Sequence, residues 1–230
     1  MEYNVYLQYK TQLDLNLNDY FGGIYEHIFA DIMYELDEVA EDEEDDEVKS
    51  SKIGFMSWVE CNQVLARAYG VSMTEIPYLS MRTNSNALMN IDRALITQET
   101  IDEIGATTNP NIIVLIDFGI SDAWKNKGIG EQVLKGIIKQ MKGKYGYFMV
   151  LNSVPAQFGE YADPDSKYER EGVELAGLEK DPEKAQWKLN AFWQRCGFRQ
   201  FKNYDNVFVC NIDQAVPELI ITKRPEIRFS

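Results

Sequence analysis

At 230 residues, 45% hydrophobic and 26% charged, the chain has the make-up of an ordinary globular protein and can bury a full core in one domain. Its net charge of −14, from 23 basic and 37 acidic residues, would repel nucleic-acid phosphates and attract cations, so no nucleic-acid partner is expected. No apolar run is long enough for a membrane span and the acidic, tyrosine-containing start does not read as a signal peptide, which makes a cytoplasmic location the expectation. Cys61, Cys196 and Cys210 are too scattered for a disulfide framework, and with His27 the only histidine no zinc pattern can be assembled; reduced, buried thiols and no metal are expected.

In chain order, residues 4–9 alternate Val5 and Leu7 with polar or aromatic neighbours and predict a strand. Asp19 stands ready to cap a helix in which Tyr20, Ile24, Ile28, Ile32 and Leu36 recur every four residues, with Phe21, Tyr25, Phe29 and Met33 beside them. His27 lies outside both series and reads as an exposed helix histidine with no catalytic part. The acidic run at 41–47 repels itself and reads as a solvated loop, its functional alternative being a lip that recruits cations to a cleft. Residues 53–60 predict a strand with Phe55, Ser57 and Val59 on one face and Met56, Trp58 and Glu60 on the other. Residues 63–69 suit a helix, Pro77 and residues 84–90 signal loops, and Thr97 can cap a helix through Ile104.

The apolar, β-branched run 112–116, interrupted at Asp117, predicts a buried strand. A polar turn then leads into a helix over 131–142, where Ile129, Val133, Leu134, Ile137, Ile138 and Met141 form the apolar stripe. Residues 147–151 predict a second buried strand, parallel to the first because a helix connects them. Glycines at the helix end of a turn let a ligand approach bare backbone, and the first amides of a helix have no internal partners; such a place suits an anion, and Lys125 and Lys127 add charge of the right sign. Neither Gly-x-Gly-x-x-Gly nor Gly-x-x-x-x-Gly-Lys-Ser/Thr occurs. Residues 155–181 form a long charged insertion, Asp181 and Pro182 start a helix that runs through Arg195 and stops at Gly197, and 198–201 with 206–212 form a hairpin. Residues 219–222 suit an edge strand.

Lys125-Asn126-Lys127-Gly128-Ile129-Gly130 resembles the Arg/Gln-x-x-Gly-x-Gly/Ala pyrophosphate loop of the GNAT acetyltransferase superfamily, entered from a strand as in that family. Phe192-Trp193-Gln194-Arg195-Cys196-Gly197-Phe198 resembles the family's Leu-Tyr-x-x-x-Gly-Phe, and the two matches stand in the expected order across the C-terminal half. Lys125 replaces the usual Arg or Gln, Trp193 the usual Tyr, and Gln186 stands where Asn is common. The resemblance implies one α/β domain over residues 1–230, with a mixed central sheet flanked by helices and a splayed strand pair that binds acyl-CoA. It implies acetyl-CoA as co-substrate, held by Phe118 and Ile120 on the strand edge, by Lys125, Asn126, Lys127, Gly128, Ile129 and Gly130 at the turn, and by Trp193. Two hairpin strands are usual in the family where residues 62–106 stand, and the sequence does not place both.

The reaction so implied is acetyl transfer to an amine, a small molecule or a peptide, with cationic acceptors favoured by the net charge. A lysine-like amine must lose a proton first, and Glu60 and Asp117 are the base candidates. Asp117 breaks an apolar strand, where an unpaired carboxylate is costly, so it either finds a partner or faces the cleft; strand parity sets it opposite Phe118 and Ile120 unless a bulge intervenes. Asn152 and Ser153 either position substrate or cap the insertion. The indole N–H of Trp193 can donate a hydrogen bond but cannot act as an acid, so a catalytically inactive CoA-binding or protein-interaction module is the alternative. An acidic protein that occupies a partner's cationic site is a third reading, and acyl chain length and homodimer formation stay open.

Overall fold

The computed structural model describes residues 3–10, 23–36, 50–71, 89–90, 95–158, 169–170, 173–174, 178–202, 204 and 206–214. Among them one seven-stranded mixed sheet is flanked by four α-helices. The sheet runs β1 (Tyr3–Lys10), β2 (Tyr25–Leu36), β3 (Ser50–Cys61), β6 (Ile112–Ile120), β7 (Tyr147–Val150), β11 (Phe208–Asn211) and β10 (Arg199–Gln200). Only β6 and β7 are parallel, and α3 (Ile129–Met141) connects them as the sequence predicts. Two-residue ladders join β4 (Met89–Asn90) to β5 (Leu95–Ile96) and β8 (Glu169–Arg170) to β9 (Val173–Glu174), apart from the main sheet. Among the described residues between 62 and 106, this β4–β5 ladder is the only strand pairing, and the rest of the stretch in which the sequence does not place both family strands lies in part outside the described residues.

Alternation along the strands sorts the core into two layers. On one face Met56, Trp58, Ile113, Leu115, Phe148 and Val150 meet the stripe of α3 and Trp193 of α4 (Pro182–Arg195). On the other, Val59, Ile112, Val114, Tyr147 and Met149 meet Ala66 of α1 (Gln63–Tyr69) and Ile104 of α2 (Gln98–Ile104). The caps are those the sequence offers: Thr97 accepts from Thr100 N–H at 3.2 Å, and Asp181 from Lys184 N–H at 3.1 Å ahead of Pro182. Because α3 starts at Ile129, it begins two residues earlier than residue 131, with Gly128 as its N-cap.

One element departs from expectation. The helix predicted through Leu36 is instead strand β2, and the positions of Asp19, Tyr20 and Phe21 lie outside the described residues. A spacing of four places residues on one face of a helix and equally on one face of a strand, so Ile28, Ile32 and Leu36 do not distinguish the two. The deciding positions are the intervening ones: Ala30 and Tyr34 complete an i, i+2 stripe with Ile32, and all three are buried in the α3/α4 layer. His27, expected exposed on a helix, is half-buried on the strand with its ring 4.1 Å from that of Phe29, and burial lowers its pKa to about 4. The acidic run at 41–47, most of the 155–181 insertion and the 219–222 segment lie outside the described residues. Among the described residues no helix is long and apolar enough to cross a membrane.

Candidate functional site at the β6 to α3 turn

After Ile120 the chain is anchored by Ser121 N–H to the Ile53 carbonyl at 2.8 Å, makes a single 3-10 turn over Asp122–Trp124, and reaches α3 through two left-handed residues. Asn126 has φ 60° and Gly128 φ 78°; asparagine is among the few side chains that tolerate this region, and glycine tolerates it at no steric cost. Gly128 is exposed, and a Cβ built on it would meet nothing within 4 Å, so the approach to this backbone is open. The first intrahelical bond runs from Gln132 N–H to the Gly128 carbonyl at 3.0 Å, which leaves the amides of Ile129, Gly130 and Glu131 ahead of the helical ladder. They form the positive end of a helix of 13 residues.

The side chains around this turn temper its charge. Lys125 lies 3.4 Å from Asp122, and the Lys127 ammonium sits 4.8 Å from the centroid of the Trp124 ring, which itself packs 4.3 Å from Tyr34. Glu131, in the first turn, is drawn towards Lys135 at 2.5 Å and Arg195 at 3.7 Å. Gly130 has a different reason from Gly128. A Cβ there would stand 3.3 Å from the Phe118 ring and 3.4 Å from Phe192, two rings stacked at 6.0 Å and 17°.

The β6/β7 ladder ends at Leu115 and Val150. Beyond it β6 stays paired to β3, from Asp117 opposite Ser57 to Ile120 opposite Gly54, while the chain after β7 keeps to the other neighbour through Ser153 N–H to the Asn206 carbonyl at 2.8 Å. Ile116 is the extra residue of a β-bulge, since Trp58 pairs with Leu115 and Ser57 with Asp117. The bulge resets the alternation, so that Phe118 and Ile120 pack towards α3 and α4 with Leu115. Asp117 shares the opposite face with its partner Ser57 and with Val59. It is half-buried, and its Oδ1 accepts the Phe118 N–H at 3.1 Å.

Glu60 is held elsewhere. Its carboxylate accepts Trp58 Nε1–H at 2.9 Å and the Tyr145 hydroxyl, on the α3 side of the sheet. Burial and then the Glu60 hydrogen bond push the Tyr145 phenol well above its ordinary range. Glu60 pairs with Ile113, three β3 residues from the Ser57–Asp117 pair, which is roughly 10 Å along the strand. The two carboxylates therefore cannot serve one atom. Trp193 is only 4% exposed, packed against Phe192 and Phe198, and its Nε1–H donates to Ser153 Oγ at 2.7 Å. Ser153 is itself 3% exposed and its carbonyl accepts Gln186 Nε2 at 2.9 Å, whereas Asn152 is exposed. Ser153 thus joins the end of β7 to α4 and to the chain ahead of β11.

Among the described residues no group of three or more His, Cys, Asp or Glu side chains could hold a metal ion. The three cysteines are free and buried, with burial pushing the Cys196 and Cys210 thiols up to about 12. No protein-family model matches the chain, and neither a curated protein nor a solved structure matches it.

Proposed function

We propose that the chain binds acetyl-CoA at the β6 to α3 turn and transfers its acetyl group to an amine, as the GNAT resemblance implies. The observation that carries this reading is one juxtaposition. A turn with left-handed Asn126 and Gly128 presents the free amides of α3 at the end of the strand whose ladder to its parallel neighbour stops at Leu115. Pyrophosphate suits those amides, and in this reading the pantetheine arm would lie against residues 118–120, where β6 is laddered to β3 and no longer to β7. The open space at Gly128 fits such a group.

Acetyl-CoA supplies an acyl group activated as a thioester. The chain must then take a proton from the acceptor, because a lysine-like amine is neutral in only about one molecule in a few thousand at pH 7. Asp117 is the base in this reading: it stands at the bulge just past the end of the β6/β7 ladder, half-buried, with a carboxylate that can accept the amine proton. Glu60 is set aside because it stands opposite Ile113, inside the β6/β7 ladder, with its carboxylate already accepting from Trp58 Nε1–H and the Tyr145 hydroxyl. Part of the 155–181 insertion, β9, comes within 8 Å of β3 between Cα atoms, so this segment has a place from which to shape acceptor choice.

One observation favours a second reading, a CoA-binding module without catalysis: the side chain at the position of the family's tyrosine is buried, and its N–H is taken by Ser153. Release of free CoA thiol, measured against polyamines, amino sugars, lysine peptides and protein N-termini, separates the two. Catalysis predicts that cationic amines accelerate release, that Asp117→Asn lowers the rate about 10²-fold or more, and that Glu60→Gln changes it by no more than about threefold. Release equal to buffer across the panel, with CoA still bound, would leave the binding module.

A further inference from the structure

We propose that β1 is a self-pairing edge, through which two copies of the chain join their sheets antiparallel about a two-fold axis at Tyr6. The proposal is independent of the acetyl-CoA reading. β1 is the outermost strand of the sheet, and among the described residues no strand lies beyond it. Its pairing to β2 runs without a bulge from Tyr3 to Lys10, and it contains neither proline nor glycine. An edge of this kind carries a row of outward backbone donors and acceptors, which proteins ordinarily protect with charge, proline or a bulge. Here the only charged residue in the strand is the terminal Lys10, and that is already committed to Asp31 at 2.9 Å within the same chain.

The occupant is identified by the order of residues. Tyr3-Asn4-Val5-Tyr6-Leu7-Gln8-Tyr9 is a chemical palindrome centred on Tyr6: tyrosine, amide, aliphatic, tyrosine, aliphatic, amide, tyrosine. An antiparallel edge pair keeps like faces together, so residues of the same parity stand opposite one another. With Tyr6 on the axis, Val5 meets the partner copy's Leu7, and in the backbone register position 4 falls opposite position 8 and position 3 opposite position 9. Val5 and Leu7 are half-buried against the α3/α4 layer and Tyr9 lies edge-on to Trp58 at 6.0 Å, so pairing would continue that apolar layer from one copy into the next. Tyr6, on the other face, is 38% exposed and Tyr9 48%. No like charges are brought opposite within residues 3–9, despite the net charge of −14 on each copy.

The test is sedimentation equilibrium of the full chain, with Tyr6→Lys and Tyr6→Glu variants. The wild type should rise with concentration from 26.5 kDa towards twice that mass, more readily at high salt as the net charge is screened. Each variant alone places like charges together on the axis and should remain monomeric with unchanged circular dichroism. An equimolar mixture places Lys opposite Glu and should recover the dimer, which a merely unfolded or distorted strand would not do. A wild type that stays monomeric throughout its soluble range, variants that dimerise as the wild type does, or a mixture that remains monomeric would each overturn the proposal.

Discussion

Replacing Ser153 by alanine tests how Trp193 is held in this chain. The Trp193 indole N–H and the Ser153 hydroxyl are 2.7 Å apart, at 4% and 3% exposure, so no water replaces the lost acceptor without moving packed groups. A buried donor left unsatisfied costs about 1–3 kcal/mol, and Ser153→Ala should lose about 2 kcal/mol. At about 2–4 °C per kcal/mol for a chain of this size, the melting temperature should fall by about 4–8 °C. Trp193→Phe removes the donor as well as some packing, so the double variant should be less destabilised than the sum of the singles by about 1 kcal/mol. Urea unfolding of the four proteins measures this coupling. Strict additivity, or a Ser153→Ala loss below about 0.5 kcal/mol, would refute the junction. For the same reason Trp193→Tyr should damage packing without increasing turnover.

Acid should act through His27: its folded pKa, near 4, lies below its ordinary 6.5, so the stability due to keeping it neutral is present above pH 6.5 and lost as pH falls towards 4. The loss should reach about 2–3 kcal/mol, visible as a falling urea midpoint that His27→Gln flattens; an equal slope in both proteins would exclude this origin. The two turn glycines should separate into two kinds. Gly130→Ala presses on Phe118 and Phe192 and should cost about 1 kcal/mol of stability. Gly128→Asn, which tolerates the left-handed backbone, should leave stability nearly intact while weakening CoA binding, and calorimetry showing the opposite order would reverse the assignment.

The β6–α3–β7 unit was legible because its signals agree: an apolar strand broken only at Asp117, a turn ending in glycine, and a stripe from Ile129 to Met141 whose every member is buried. The β2 strand was not, because Ile28, Ile32 and Leu36 fit both periods and the discriminating Ala30 is a small residue with little weight in a hydrophobic pattern. Gly130 shows a subtler limit. Its spacing from Gly128 suggests one purpose, and only the Phe118–Phe192 stack reveals that it is small for packing. Tyr145 was missed as the partner of Glu60 because 85 residues separate them, and no local pattern announces a contact of that range. The bulge at Ile116 likewise depends on pairing with β3, although Asp117 within an apolar run marked where regularity would end.

The central claim, that the β6 to α3 turn holds acetyl-CoA, is tested most directly by isothermal titration of the wild-type chain with acetyl-CoA and with CoA. The account predicts saturable binding of both at one site per chain, weakened by salt and by Gly128→Asn. Absence of binding by either ligand to the folded protein would contradict it.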